Sequence, residues 1–394
     1  MKTNFPTLPL NPIAAVTDSN PYPYYSSLVR NKPFYYDSQL NLWVASSAAA
    51  VTSILTSDIC HVRPAKEPVP ANLVGSPAAD IYRYLIRMND GEYHERLKSA
   101  VLSCLDQVDV RQLGEISCRW ARSLLPLEPT QVHLQNYVFQ LPVFVIASLL
   151  GLPEQVMPEI AIVISEFVRC FAQNSSAEQI DAGKMAAKEL LAYFRSFMSA
   201  QQAVYSDGLL SILSNEARIR GCEDDNEIVA NSIGFLSQAY EATAGLMGNT
   251  LLALASQPMS REQIMTNPNV LRSIIQEVLR YDAPIQNTRR FVARNGMIAG
   301  ELLREGETIL VILAAANRDE TANPNPHTFD IRRANRRTFT FGVGPHACPG
   351  KMLAESIAAT GIEQLLISGF DPKSIVGPTV YRPSANARIP LWIS

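Results

Sequence analysis

The chain has 394 residues, about 47% apolar and 18% charged, enough for a sizeable buried core. A formal charge of -3, from 34 basic and 37 acidic side chains, argues against nucleic acid as a partner, because phosphate binding needs a clustered basic excess. The six cysteines (Cys60, Cys104, Cys118, Cys170, Cys222 and Cys348) stand far apart without a CxxC pair, so neither a disulfide framework nor a zinc site is expected, and a reducing cytoplasm is the simplest setting.

The N-terminal MKTNFPTLPLNPIAAV lacks an apolar run long enough for a signal peptide or a membrane anchor, so no membrane is expected. The following PYPYYSSLVRNKPFYYDSQLNLWVAS reads as a loop, a short helix and a hairpin with alternating LNLWVAS. From about residue 90 to 280 the pattern is helical. GEYHERLKSAVLSCL, YVFQLPVFVIASLLGLP, AGKMAAKELLAYFRSFMSAQQAV and DNEIVANSIGFLSQAYEATAGLMGNTLLALASQ repeat apolar residues every three and four positions. The last is apolar nearly all round, so it is expected to be buried on most sides. Strand-like pieces return at NGMIAGELLREGETILVILAAAN and at RIPLWIS, and a coil rich in Asn, Pro and Arg spans 317–340. No internal repeat or linker divides the chain. The expectation is one mainly α domain with small segregated β-sheets, residues 1–394, rather than an alternating βαβ fold.

After that coil stands FGVGPHACPG, 341–350, followed at once by the helical KMLAESIAATGIEQLLISG. Gly342, Gly344 and Gly350 permit backbone angles and close approaches that other residues resist. Cys348 sits just before a helix N-terminus, where free N–H groups and partial positive charge favour thiolate over thiol. A lone thiolate in such a cage suits a single axial ligand to haem iron better than a zinc or iron–sulfur site, which needs partners the loop lacks. A buried apolar filler and a nucleophile beside His346 are the other readings of Cys348.

Phe341, Gly342, Gly344, His346, Cys348 and Gly350 match FGxGxHxCxG, and here the sequence resembles the cytochrome P-450 superfamily of haem-thiolate enzymes, over roughly residues 10–394. The resemblance implies the cytochrome P-450 fold, with haem b between a long I helix and the L helix and Cys348 as the metal ligand. Other motifs follow in order. Glu277 and Arg280 of EVLRY stand at i,i+3; alone they would be a solvated ion pair worth tenths of a kcal/mol. They resemble the family's K-helix pair, which Arg333 of FDIRR is expected to complete in a structural role. ANRD, 316–319, also fits. His94 and Lys98 lie one helical turn apart in NDGEYHERLK. By resemblance they join Arg290 and His346 as partners of the haem propionates, although many relatives carry arginine where Lys98 stands. Phe341, Gly342 and Gly350 complete the cofactor-binding set.

The I-helix pattern departs from the family. With LMGN, 246–249, as anchor, the usual acid is Glu241, the usual glycine is Ala239, and the alcohol that serves the proton relay falls on Ala242. Thr243 holds the next position, and a register shift of one residue would restore it to the usual place. In the anchored register the relay must use Glu241 with Thr243, Gln238, water or the substrate itself.

The resemblance implies a monooxygenase that inserts oxygen from O2 into a medium-sized organic substrate with a few polar groups, in natural-product biosynthesis. Coupling, ring formation or desaturation, and a haem-binding protein without oxygenase activity, are the alternatives raised by Ala242. The resemblance draws the pocket from segments 66–88, 160–175, 234–243, 284–289 and 383–387, with Leu73, Val74, Phe167, Phe235, Ile285, Asn287 and Ala385 among its residues. Gln238, Asn287 and Asn386 supply the polar groups. Electrons are expected from a ferredoxin and an NAD(P)H-dependent ferredoxin reductase. Lys98, Arg96 and Lys351 are candidates for the docking face, and Glu355 stands where relatives often have arginine.

Overall fold

The computed structural model describes residues 9–125, 131–171, 175–202, 208–256, 261–375 and 379–392. Its α-helices, in chain order, are α1 (Tyr22–Asn31), α2 (Ala48–Leu55), α3 (Pro77–Tyr84), α4 (Gly91–Leu105), α5 (Val110–Leu124), α6 (Gln131–Leu150), α7 (Met157–Arg169), α8 (Ala177–Gln202), α9 (Leu209–Ile219), α10 (Asp225–Ser256), α11 (Arg261–Thr266), α12 (Pro268–Tyr281), α13 (Leu313–Asn317) and α14 (Lys351–Ile367). The strands are β1 (Phe34–Asp37), β2 (Leu42–Ala45), β3 (Cys60–His61), β4 (Thr288–Val292), β5 (Gly296–Ile298), β6 (Glu301–Leu303), β7 (Thr308–Val311), β8 (Val380–Tyr381) and β9 (Pro390–Leu391). The LAAAN end of the strand-like 295–317 stretch forms α13 instead, since alanine favours helix once β7 has ended.

The main sheet runs β1-β2-β7-β4-β3. β1 and β2 form the expected antiparallel hairpin, β2 runs parallel to β7, and β4 is antiparallel to both β7 and β3. Two smaller sheets, β5–β6 and β8–β9, stand apart. One large apolar cluster fills the helical body and two smaller ones flank the main sheet.

α10 is the spine, packed by α6, α14, α3 and α12. Its small residues let other chain segments approach closely. A Cβ on Gly248 would lie 2.9 Å from the ring of Pro390, so β9 can lie against the helix only because position 248 is bare. Asn249 fixes the same junction by donating to the carbonyls of Asp282 (2.8 Å) and Arg388 (3.3 Å). α6 contains an 18-residue stretch, His133–Leu150, long and apolar enough to cross a membrane, but 72% of it is buried inside the protein, and it serves as a core helix.

The coil at 317–340 is held from beneath by Glu277 on α12. Glu277 and Arg280 are fully buried, with Nη2 and Oε1 2.6 Å apart, so the pair is not the solvated contact its spacing alone suggests. Arg333 comes within 3.5 Å of Glu277, and Arg336, not singled out in the sequence, makes the closer hydrogen bond at 2.8 Å. Arg280 also donates to the carbonyl of Pro326 at 2.8 Å. Each charge is thereby answered by charge or carbonyl, which a buried ion pair requires. Despite burial, these donors hold the Glu277 carboxyl below its ordinary range.

Candidate active site

Cys348 follows a one-turn 3-10 segment, Gly344–His346, and precedes α14, whose N-cap is Gly350. The loop closes on itself: the Cys348 N–H donates to the Phe341 carbonyl at 2.7 Å, and the Gly342 N–H donates to the Phe339 carbonyl at 2.7 Å. Gly342 and Gly344 have φ of 69° and 74°, so both occupy the left-handed region. A Cβ on Gly344 would also lie 2.8 Å from the Leu55 carbonyl oxygen at the end of α2.

The Cys348 side chain is accessible only because it opens into a cavity of about 1660 Å³ between α10 and α14. That volume exceeds the roughly 300–1,000 Å³ of an ordinary small-molecule site, which leaves room for a flat macrocycle and a substrate together. Burial pushes the thiol up, while the Gly350 N–H and Lys98 pull it down. Desolvation therefore outweighs the pull of the Gly350 N–H at the start of α14.

At the Cys348 end of the cavity basic groups converge. The His94 and His346 rings lie 4.0 Å apart, and His346 Nε2 is 3.0 Å from Asp90 Oδ1. Burial, with His346 and Lys98 nearby, lowers the His94 pKa to about 4. Lys98 donates to the carbonyl of Ala347, next to Cys348, which leaves ammonium protons free. Arg290 is buried and bonded to the Thr288 hydroxyl (3.4 Å) and the Arg289 carbonyl (2.8 Å); it makes no direct ion pair among the described residues, and Asp90 attracts it from further off. An accessible thiol, a cradle of backbone glycines and a buried guanidinium without a direct carboxylate contact are what a haem with two propionates would need. The residues fit that group.

α10 forms the opposite wall. Gln238, Ala239, Glu241, Ala242 and Thr243 all line the cavity. Ala242 is half-buried on the middle of the cavity-facing strip; Thr243, about 100° further round, is buried at 1% exposure. Gln238 is turned back onto the Gly234 carbonyl at 2.9 Å. Glu241 Oε1 lies 3.8 Å from Arg382 Nη2. Burial pushes the Glu241 carboxyl up, against the opposing pull of Arg382, Arg169 and Arg87.

Of the apolar pocket residues read from the sequence, Phe235 and Ile285 line the cavity, as do Asn287 and Ala385. Leu73, Val74 and Phe167 do not. Leu73 and Phe167 are wholly buried in the helical core, and Val74 is 71% exposed on the surface. The residues that line the wall near them are Tyr82 and Phe171, whose rings stack at 5.7 Å; Phe167 backs Phe171 edge-on at 4.9 Å. The amides expected to meet substrate also have internal partners: Asn287 donates to the Ala385 carbonyl at 2.8 Å, and Asn386 accepts from Ser384 at 3.3 Å.

Sequence reasoning missed Arg87, Arg169 and Arg382, which all line the cavity. Each lies in or beside a stretch already assigned to the pocket (66–88, 160–175 and 383–387). Only apolar and amide residues were chosen there, because a charged side chain reads as solvated surface. The docking face is also smaller than expected. Arg96 lies against Tyr93, 5.9 Å from its ring, and close to Cys222 and Glu227, while Lys98 is turned inward. Lys351 remains half-exposed, 3.8 Å from Glu355.

Residues 161–371 match the cytochrome P450 family model. The chain is 29% identical over 388 residues to the vitamin D(3) 25-hydroxylase of Pseudonocardia autotrophica, covering 94% of this chain and 92% of that one. It is 26% identical over 316 residues to the mycinamicin VIII C21 methyl hydroxylase of Micromonospora griseorubida, covering 79% of each. Its fold overlays the crystal structure of CalO2 with a TM-score of 0.82 at 23% identity, over 98% of this chain and 97% of that one. A mainly helical body with a lone cysteine facing a long central helix is the architecture of a haem-dependent oxidoreductase. This chain belongs to the cytochrome P450 family; it is a monooxygenase that uses haem, a small-molecule substrate and redox partners.

Proposed function

We propose that residues 1–394 act as one haem b domain that oxygenates a medium-sized organic substrate in natural-product biosynthesis, with electrons from a ferredoxin and its NAD(P)H-dependent reductase, in the cytoplasm. The observation that carries this reading is Cys348 on the floor of the cavity beneath α10. A cavity lined from Leu55 to Leu391 supports treating the chain as one functional unit. The kinship with a mycinamicin hydroxylase supports the biosynthetic setting.

In this reading Cys348 Sγ would ligate the haem iron, and His94, Lys98, Arg290 and His346 would hold the propionates. Phe341, Gly342 and Gly350 shape the near wall, while Glu277, Arg280 and Arg333 fix the coil that carries the loop. When bound, the haem supplies the redox chemistry that activates dioxygen for transfer to a substrate bond. The chain's own contribution on the α10 side is a proton-carrying carboxyl at Glu241, oriented by Arg382. Ala242 offers a methyl group at the centre of that wall. Thr243 lies at its edge and Gln238 is engaged with the backbone, so the last proton donor toward the reacting atoms is water or a substrate hydroxyl. The same methyl favours, as a second reading, an oxidative coupling, ring closure or desaturation.

The test is the carbon monoxide difference spectrum of the reduced protein, followed by turnover with NADPH and a surrogate ferredoxin pair. A thiolate-type band that Cys348→Ala abolishes, together with an oxygenated product, is the expected result. Haem that is absent, or unaffected by the substitution, overturns the assignment of Cys348. A product that is coupled or desaturated, without inserted oxygen, selects the second reading.

A further inference from the structure

Arg87, Arg169 and Arg382 line the cavity with Glu67, Glu166 and Glu241, but these charges are not all paired. Arg169 is matched by Glu166, with Nη1 and Oε1 2.9 Å apart, and Arg382 is matched by Glu241 at 3.8 Å. Arg87, in the turn between α3 and α4, has neither an ion pair nor a hydrogen bond among the described residues, although it lines the same cavity. Glu67 lines the cavity from the loop before α3 and pairs with none of the three.

Arg87 combines two properties that rarely coexist. Its side chain is exposed, yet its surroundings are enclosed enough for burial to lower its pKa. Both can hold because Arg87 lines the cavity, where water reaches it inside an enclosure. A substrate filling the cavity would strip that water away. An apolar substrate would then leave a guanidinium whose only counter-charge is Glu241, beyond ion-pair distance and already facing Arg382, at the heavy cost of a buried charge without direct contact. A carboxylate would convert the same charge into a two-pronged hydrogen-bonded pair. The amides read from the sequence as substrate contacts, Gln238 and Asn287, each spend one N–H on a backbone carbonyl and carry no charge that could answer a carboxylate.

We propose that the substrate carries a carboxylate, received by Arg87 with Arg169 and Arg382 beside it, on the α10 side of the cavity. This rests on reading the cavity as the haem and substrate chamber of a monooxygenase. Arg87 is a binding and specificity residue in this account; it has no part in the proton relay.

The experiment is calorimetric titration of the haem-loaded protein with carboxylate and primary-amide probes of matched skeleton: decanoate against decanamide, and 4-phenylbutanoate against 4-phenylbutanamide. In at least one pair the acid is expected to bind about 30-fold more tightly than the amide, the scale of losing one partner of a desolvated charge pair. Arg87→Gln is expected to erase that preference, and Arg87→Lys to keep part of it. Equal binding within both pairs, including failure of every probe to bind, overturns the proposal, as does a preference that Arg87→Gln leaves intact. In that last case the acid is held by Arg169, Arg382 or the haem-side cations instead. The carbon monoxide spectrum is recorded on the same samples. A missing thiolate band there would fault the functional reading, whereas a normal band with no acid preference faults only the carboxylate.

Discussion

Glu241, midway along α10, faces Arg382, just beyond β8, across 3.8 Å, so the acid of the central helix is oriented by the C-terminal end of the chain. Burial raises its pKa despite that partner. A raised carboxyl pKa means that the charged form is lost at a higher pH than usual as the solution is acidified. A proton-carrying Glu241 works in its protonated form, so activity should fall on an alkaline limb as pH rises through that raised value. Glu241→Gln is expected to slow product formation about 100-fold and to abolish that limb. A pH profile of turnover for both proteins decides it; an unchanged limb in the variant assigns the titration to another group.

Ala242→Thr places a hydroxyl at the centre of the cavity-facing strip of α10. On substrates without a hydroxyl of their own, more product per NADPH consumed is expected, at unchanged haem content. Part of the gain will be withheld if the new side chain bonds back to the carbonyl four residues earlier, as helix threonines often do. Coupling that stays flat would show that the missing alcohol at 242 is not what limits proton delivery.

Gly342 and Gly344 both sit at positive φ but differ in surroundings. A Cβ on Gly344 would lie 2.8 Å from the Leu55 carbonyl oxygen, whereas one on Gly342 would meet nothing closer than 3.5 Å. Gly342→Ala should lose only the left-handed backbone penalty, about 1–2 kcal/mol. Gly344→Ala should lose more, because backbone must move. Thermal unfolding of the two variants gives the ranking, and the reverse order would mean that α2 yields easily.

Glu277→Gln is expected to destabilise the protein by about 3–5 kcal/mol at neutral pH, since it leaves Arg280 buried without its counter-charge. The Glu277 carboxyl is held below its ordinary range. Its stabilising contribution is therefore complete above an unfolded value of about 4.3 and disappears as pH falls through the lower folded value. The gap between wild type and variant in denaturant unfolding should accordingly be full at pH 7 and shrink well below pH 4. A constant gap would trace the loss to geometry rather than charge. Should the variant fail to fold, Arg336→Gln removes one donor to Glu277 and leaves Arg280 paired.

Much of this protein can be read along the chain. α4 and α10 begin and end close to the boundaries set by their apolar spacing, because helix periodicity and end signals are local properties. The cysteine loop was equally legible: left-handed glycines, a turn and a helix start are encoded within ten consecutive residues. What the sequence could not show is where buried charge ends up. Arg336 rather than Arg333 makes the tighter bond to Glu277, and Lys98 turns to a backbone carbonyl. Leu73 and Phe167 sink into the core while Arg87, Arg169 and Arg382 line the cavity. Hydrophobicity predicts burial on average, but a pocket is the place where chain segments distant in sequence fail to meet. Which side chains border that gap is fixed by the packing of α3, α7, α10 and the C-terminal sheet against one another. The sequence by itself therefore determined the family, the helical body and the cysteine loop. The tertiary structure alone decided the charge of the chamber that cysteine faces.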